Sequence, residues 1–194
     1  MQLIIVLYAC SDHSTVESKK KNVEQNKPKH ELSFKEMPNK GTTYVTIDTN
    51  TINENEALLF ALQTRLLKAK FDLLEKDSGT TWSENDCTLN KIIQVKGQGI
   101  RSYIAVSQDK IGEDEKVRPD FVILVFGFEN EMIAEQNFKI ISSAVHSAGG
   151  FCNGKSPENI VRNGTEVFYL TTRAEIFRTY IDEYTQFIQN FKNE

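Results

Sequence analysis

The spacing of apolar side chains changes several times along the chain, and each change predicts an element. Thr42–Asp48 alternates, with Tyr44, Val45 and Ile47 supplying β-branched and aromatic positions, which predicts a strand. Asn53, with Glu56 three residues later, is an Asn-led relative of the capping box. Leu59, Leu62, Leu66, Ala69 and Leu73 then recur at helical steps, predicting a long helix that ends near Lys76. Trp82 and Cys87 fall in a polar stretch that reads as loop. Ile92–Lys96 and Ile100–Ser107 read as two strands joined through Gly97-Gln98-Gly99 with hairpin-like spacing, and Asp109–Arg118 as a charged surface loop. Phe121–Phe128 is an apolar run suited to a central strand buried on both faces. Ala134, Phe138, Ile141, Val145 and Ala148 mark a second amphipathic helix stopping at Gly149-Gly150. Phe151–Asn163 reads as a loop, with Ser156-Pro157 opening a short helical turn. Glu166–Leu170 is a fifth strand. Thr172 and Glu175 make a capping box for a last helix whose inner face is Ile176, Tyr180, Tyr184, Phe187 and Phe191.

The predicted order is β-α-β-β-β-α-β-α. Regular βαβ alternation, which a parallel doubly wound sheet needs, is missing from residues 92–128. The expectation is an α+β fold, a two-layer sandwich of a largely antiparallel five-stranded sheet and three helices on one face. At roughly 100–200 residues per domain, a chain of 194 residues holds one domain, placed at residues 41–194. Residues 11–40 are rich in Lys, Glu, Asn and Ser, include Lys19-Lys20-Lys21, and carry only scattered apolar side chains. Such a segment buries too little surface to offset chain entropy and reads as a tether.

Charge and composition narrow the partners. With 23 Lys+Arg against 27 Asp+Glu the formal charge is −4, so the sequence shows no clustered positive footprint for nucleic acid or for an anionic bilayer. A lysine run in the tether is read as solvated linker, with headgroup contact as the alternative.

Residues 1–9 form a short apolar run ending in Ala9 and meeting Cys10. It is shorter than the about 20 residues that span a bilayer, and it fits the apolar core and small-residue end of a secretory signal. Leu7-Tyr8-Ala9-Cys10 resembles the lipobox of bacterial lipoproteins, Leu-x-Ala/Gly-Cys, with Tyr8 bulkier than the usual residue. The absence of Lys or Arg before the run fits a start codon upstream of Met1. The resemblance implies that residues 1–9 are a signal remnant, that Cys10 carries diacylglycerol, and that residues 10–40 tether the domain to a membrane in the cell envelope. Ser11 implies the outer membrane in double-membrane bacteria. Two or more acyl chains, at about 0.8 kcal/mol per buried CH₂, hold a protein stably on a bilayer. The alternative is a cytoplasmic protein in which Leu3–Ala9 is a core strand.

Three cysteines leave one over in a secreted chain. With Cys10 lipidated, Cys87 and Cys152 remain as a candidate disulfide in an oxidising compartment, two unrelated buried thiols being the alternative. No Cys or His stands at metal-ligand spacing from either, so no metal is expected. His13 and His30 lie in the tether, and His146 reads as a surface residue near a helix end. Arg173, at a helix start where a cation opposes the dipole, is expected to have a carboxylate partner. Glu129/Glu131 and Asp182/Glu183 read as solvated faces. Gly97-x-Gly99 lacks the third glycine of a phosphate loop, and nucleophile motifs are missing, so no catalytic residue and no cofactor are assigned. The functional expectation is therefore a non-catalytic binding domain of inhibitor, immunity or accessory type, whose partners are the membrane, through the lipid, and an envelope protein. The alternative is an envelope hydrolase using carboxylates assembled from separate loops.

Overall fold

The computed structural model describes residues 32–51, 55–77, 79–112 and 116–192, which belong to a unit spanning Glu31–Glu194. The signal run, Cys10, His13, His30, the lysine triplet and Asn53 lie outside the described residues. Strand β1 (Thr43–Thr49) leads to α1 (Glu56–Lys68), followed by β2 (Phe71–Lys76), β3 (Thr81–Asp86), β4 (Lys91–Gly97), β5 (Ile100–Ser107) and β6 (Asp120–Gly127). Then come α2 (Glu131–Val145), β7 (Glu158–Asn163), β8 (Glu166–Thr171) and α3 (Arg178–Asn190). The α+β class and a five-stranded antiparallel sheet are as expected. That sheet runs β2-β5-β6-β8-β7, and a three-stranded sheet, β1-β4-β3, stands beside it with β1 parallel to β4.

Three layers result where the sequence suggested two. Leu58, Leu62 and Leu66 of α1 and Ile181, Tyr184 and Ile188 of α3 pack on one face of the large sheet, against Phe121, Ile123, Val125, Phe168 and Leu170. The other face carries Phe126, Val167 and Tyr169, covered by α2 through Ala134, Ile141, Ala144 and Val145 and by the small sheet through Ile47, Ile93 and Val95. β6 sits between these cores with inward residues on both sides, as its apolar run predicts. Each fully buried leucine of α1 contributes about 1.5–3 kcal/mol relative to exposure. Tyr184 stacks on Phe121 at 5.2 Å between ring centroids, fixing α3 to the sheet.

Four elements differ from the sequence reading. The first helix stops at Lys68: Lys70 takes φ 59°, and Phe71 and Leu73 continue at strand spacing in β2, paired with β5. Trp82 lies in β3, not a loop, with its ring 5.2 Å from Phe126 and 5.3 Å from Tyr169. The segment 158–163 is β7, paired with β8, and no helical turn starts at Ser156. The inner stripe at the C-terminus keeps Tyr184, with Tyr180, Phe187 and Phe191 partly covered, but its other buried positions are Phe177, Ile181 and Ile188, and Ile176 is 68% exposed. Thr172 does not cap, because its hydroxyl donates to the Asp120 carbonyl at 2.7 Å.

β4 and β5 form no hairpin; they belong to different sheets, and Gly97–Gly99 is the crossing between them. The end of β1 presses into this corner. A Cβ on Gly99 would stand 1.7 Å from the Asn50 carbonyl oxygen, and Gly97 takes φ +125° beside Thr49. The glycines are thus required by close backbone approach. Residues 32–42, assigned by composition partly to the tether, pack on the domain: Met37 is buried in a cluster with Cys87 and Cys152, and Leu32 and Ile92 lean on it.

Candidate functional site

The polar cleft with the richest chemistry opens where α2 ends, β7 begins and α3 starts. It has a volume of about 460 Å³ and is lined by Val145, His146, Phe151, Lys155, Glu158 and Arg178 among others. His146 caps the C-terminus of α2, and its Nδ1 lies 2.9 Å from the Ser142 carbonyl oxygen. The chain then turns through left-handed residues Ala148 and Gly149 into the loop that forms one wall.

That wall is fixed to the end of β3 by several bonds. Cys87 and Cys152 stand at disulfide distance, their Cα atoms 5.8 Å apart, and both are buried. Beside them Asn153 Oδ1 accepts from the Asn85 backbone N–H at 3.0 Å and from its amide Nδ2 at 2.7 Å. Asn153 Nδ2 donates in return to the Asn85 carbonyl at 2.9 Å. The Cys87 N–H donates to the Ser147 hydroxyl at 3.1 Å, and Asp86 accepts from Ser143 at 3.0 Å. On the opposite wall Arg178 makes a two-pronged pair with Glu175, Nη2 to Oε2 being 3.0 Å. Asn159 at the start of β7 donates to Asp182 at 2.8 Å.

The cleft acid Glu158 is coupled to a second carboxyl, Glu84, and to the phenol of Tyr169, neither of which lines the cleft. Glu84 is the middle inward residue of β3, flanked at alternate positions by Trp82 and Asp86, and is 8% exposed. Burial, reinforced by the neighbouring Glu158 charge, pushes its carboxyl up to about 8 against a single opposing backbone N–H from Asn85. Burial also raises Glu158, which the Tyr169 hydroxyl bond and the nearby His146 pull back toward ionisation. The Tyr169 phenol is held far above its ordinary value by burial and by both acids, so it stays a hydrogen-bond donor. At neutral pH Glu84 is a neutral acid that feels the charge of the cleft acid Glu158. Such a pair of environments sets the proton affinities of two carboxyls apart.

The residues singled out from sequence distribute as follows. Cys87 and Cys152 come together, buried with Met37, beside the Phe151 wall of the cleft. His146 lines the cleft. Arg173 pairs with Asp120 at 3.1 Å and lies 5.6 Å from the Phe177 ring, a structural role. Glu131 stands 3.8 Å from Arg162, while Glu183 pairs with Arg65 at 2.9 Å. Glu84, Glu158 and Tyr169 were not anticipated; the Trp82-x-Glu84-x-Asp86 alternation was the available signal. Among the described residues no group of three or more His, Cys, Asp or Glu is placed to hold a metal, and no helix is long and apolar enough to cross a membrane. No protein-family model matches the chain, and no curated protein or solved structure is significantly similar to it.

Proposed function

We propose that this chain is a lipid-anchored protein of the bacterial envelope, held by Cys10 at the outer membrane, whose domain binds a polar group of an envelope partner in the α2–β7–α3 cleft. The observation that carries the binding reading is rigidity. A cleft lined with charged and hydrogen-bonding side chains has both walls tied down by bonds internal to the domain, so little ordering cost attends ligand capture. A cysteine pair at disulfide distance supports an oxidising compartment.

Photocrosslinking side chains placed at Phe151 and Lys155 in cells test this. One defined adduct, lost when Glu158→Lys is added and missing from a probe at exposed Gln94, supports the reading; identical adducts from all three positions contradict it. For the anchor, metabolic labelling with a clickable fatty acid should mark wild type and not Cys10→Ala, and equal labelling removes the lipoprotein reading.

The cleft acid Glu158, whose carboxyl burial raises, favours a second reading, an envelope hydrolase in which Glu158 exchanges the proton with substrate and Glu84 acts on it only through the field between them. Release of soluble fragments from isolated envelope polymers, abolished by Glu158→Gln and kept by Gln94→Ala, selects it over simple binding.

A further inference from the structure

A second surface, lined by none of the cleft residues, lies where α1 and α3 run side by side. Phe60 is 72% exposed and Leu67 52% exposed on α1. Phe187 and Phe191 of the α3 end are only partly covered, their rings 6.0 Å apart. Two adjoining hollows of about 530 and 480 Å³ share Arg65, Phe187 and Phe191 as walls. Exposed aromatic surface of this kind on a soluble domain marks a contact face.

The charges around it say what the contact is. Arg65, Lys68 and Lys192 line the hollows against one acid, Glu183, although the chain as a whole carries −4. Glu183 is already taken by Arg65, whose guanidinium also sits 5.2 Å over the Phe187 ring. Lys68 and Lys192 have no carboxylate within ion-pair distance among the described residues. Lysine and arginine beside phenylalanine and leucine is the side-chain set of an interfacial helix face. Aliphatic stems and rings enter the headgroup boundary while the cationic ends meet lipid phosphates. We infer that the α1–α3 face docks on a bilayer surface carrying anionic phospholipid.

The inference does not depend on lipidation, and its test removes the lipid. Full-length Cys10→Ala chain is co-sedimented with vesicles containing about one third phosphatidylglycerol and with vesicles of phosphatidylcholine alone. The expected result is partitioning at least about tenfold stronger onto the anionic vesicles, weakened by salt. Phe60→Ser and Lys68→Glu/Lys192→Glu, all at exposed positions, should each weaken it about tenfold. Lys91→Glu/Lys139→Glu on another face should leave it unchanged. Failure of the parent to bind, equal binding to both vesicles, or equal loss in the control variant overturns the inference. So does a concentration-dependent dimer or an acidic-peptide complex that Phe60→Ser abolishes, since the occupant would then be protein. Fatty-acid labelling of Cys10 reads the anchor separately, so one result cannot stand in for the other.

Discussion

Breaking the link between Cys87 and Cys152 should loosen the unfolded-state constraint while leaving the fold in place. The cysteines are 65 residues apart, so a bond between them closes a long loop of the denatured chain. Loop-closure entropy puts the stabilisation at about 4 kcal/mol, before any native-state strain is subtracted. Native geometry has other support, because Asn85 and Asn153 exchange three hydrogen bonds and Ser147 holds the Cys87 amide. The loss should therefore appear in the equilibrium and not in the spectrum of the folded state. Urea unfolding of oxidised wild type, reduced wild type and Cys87→Ala/Cys152→Ala, monitored by Trp82 fluorescence, measures it. Both perturbed proteins should unfold with a steeper urea dependence, since the unfolded chain without the bond exposes more surface. They should lose about 3–4 kcal/mol. Unchanged stability on reduction, or two free thiols titrated in the oxidised protein, refutes the reasoning.

Glu84→Gln gives a pH signature. Because the folded carboxyl sits at about 8 and the unfolded one at 4.5, the group's stabilising contribution is complete below pH 4.5 and is lost as pH rises through 8. At about 1.4 kcal/mol per pH unit, wild type should lose about 5 kcal/mol from this group across that window. Glu84→Gln should lack the decline and be more stable by about 3 kcal/mol at pH 7, so parallel pH–stability curves for the two proteins contradict the assignment. Gly99→Ala, whose new methyl meets the Asn50 carbonyl, should cost about 3 kcal/mol or more by thermal unfolding; a near-neutral effect would mean the sheet corner yields. Arg101 pairs with Glu166, which is fully buried. Arg101→Met should cost about 3–5 kcal/mol in denaturant titrations, more than the double change Arg101→Met/Glu166→Leu, which leaves no charge stranded.

The elements legible in the sequence are those whose own side chains bury them. Phe121–Phe128, the leucine stripe of α1 and the Ala134–Val145 stripe of α2 declare their period and their partners. The cysteine pair was legible by subtraction. β2, β3 and β7 were not, because each has a polar or mixed composition and gains strand geometry from the ladder of β5, β4 or β8. In β3 the inward positions are Trp82, Glu84 and Asp86, and acids at core-facing sites read as loop. Glu84, one of the acids that hid the strand, is the one that feels the cleft acid Glu158, so missing β3 meant missing that pair. The swap of β4 and β5 between sheets was equally hidden: Gly97-Gln98-Gly99 fits a tight turn, and only the approach of Asn50 shows why glycine is needed.

The electrostatics of the site centre on Glu84, a buried carboxyl held protonated at neutral pH by burial and by the nearby charge of Glu158. Carbon-13 NMR titration of the glutamate side-chain carboxyls, assigned with Glu84→Gln and Glu158→Gln, observes this directly. It should show Glu84 titrating near pH 8 and moving down in Glu158→Gln, and Glu158 titrating above the ordinary glutamate value and staying there in Glu84→Gln, because Glu84 is uncharged while Glu158 titrates. Two independent titrations at the value of an exposed glutamate would contradict it.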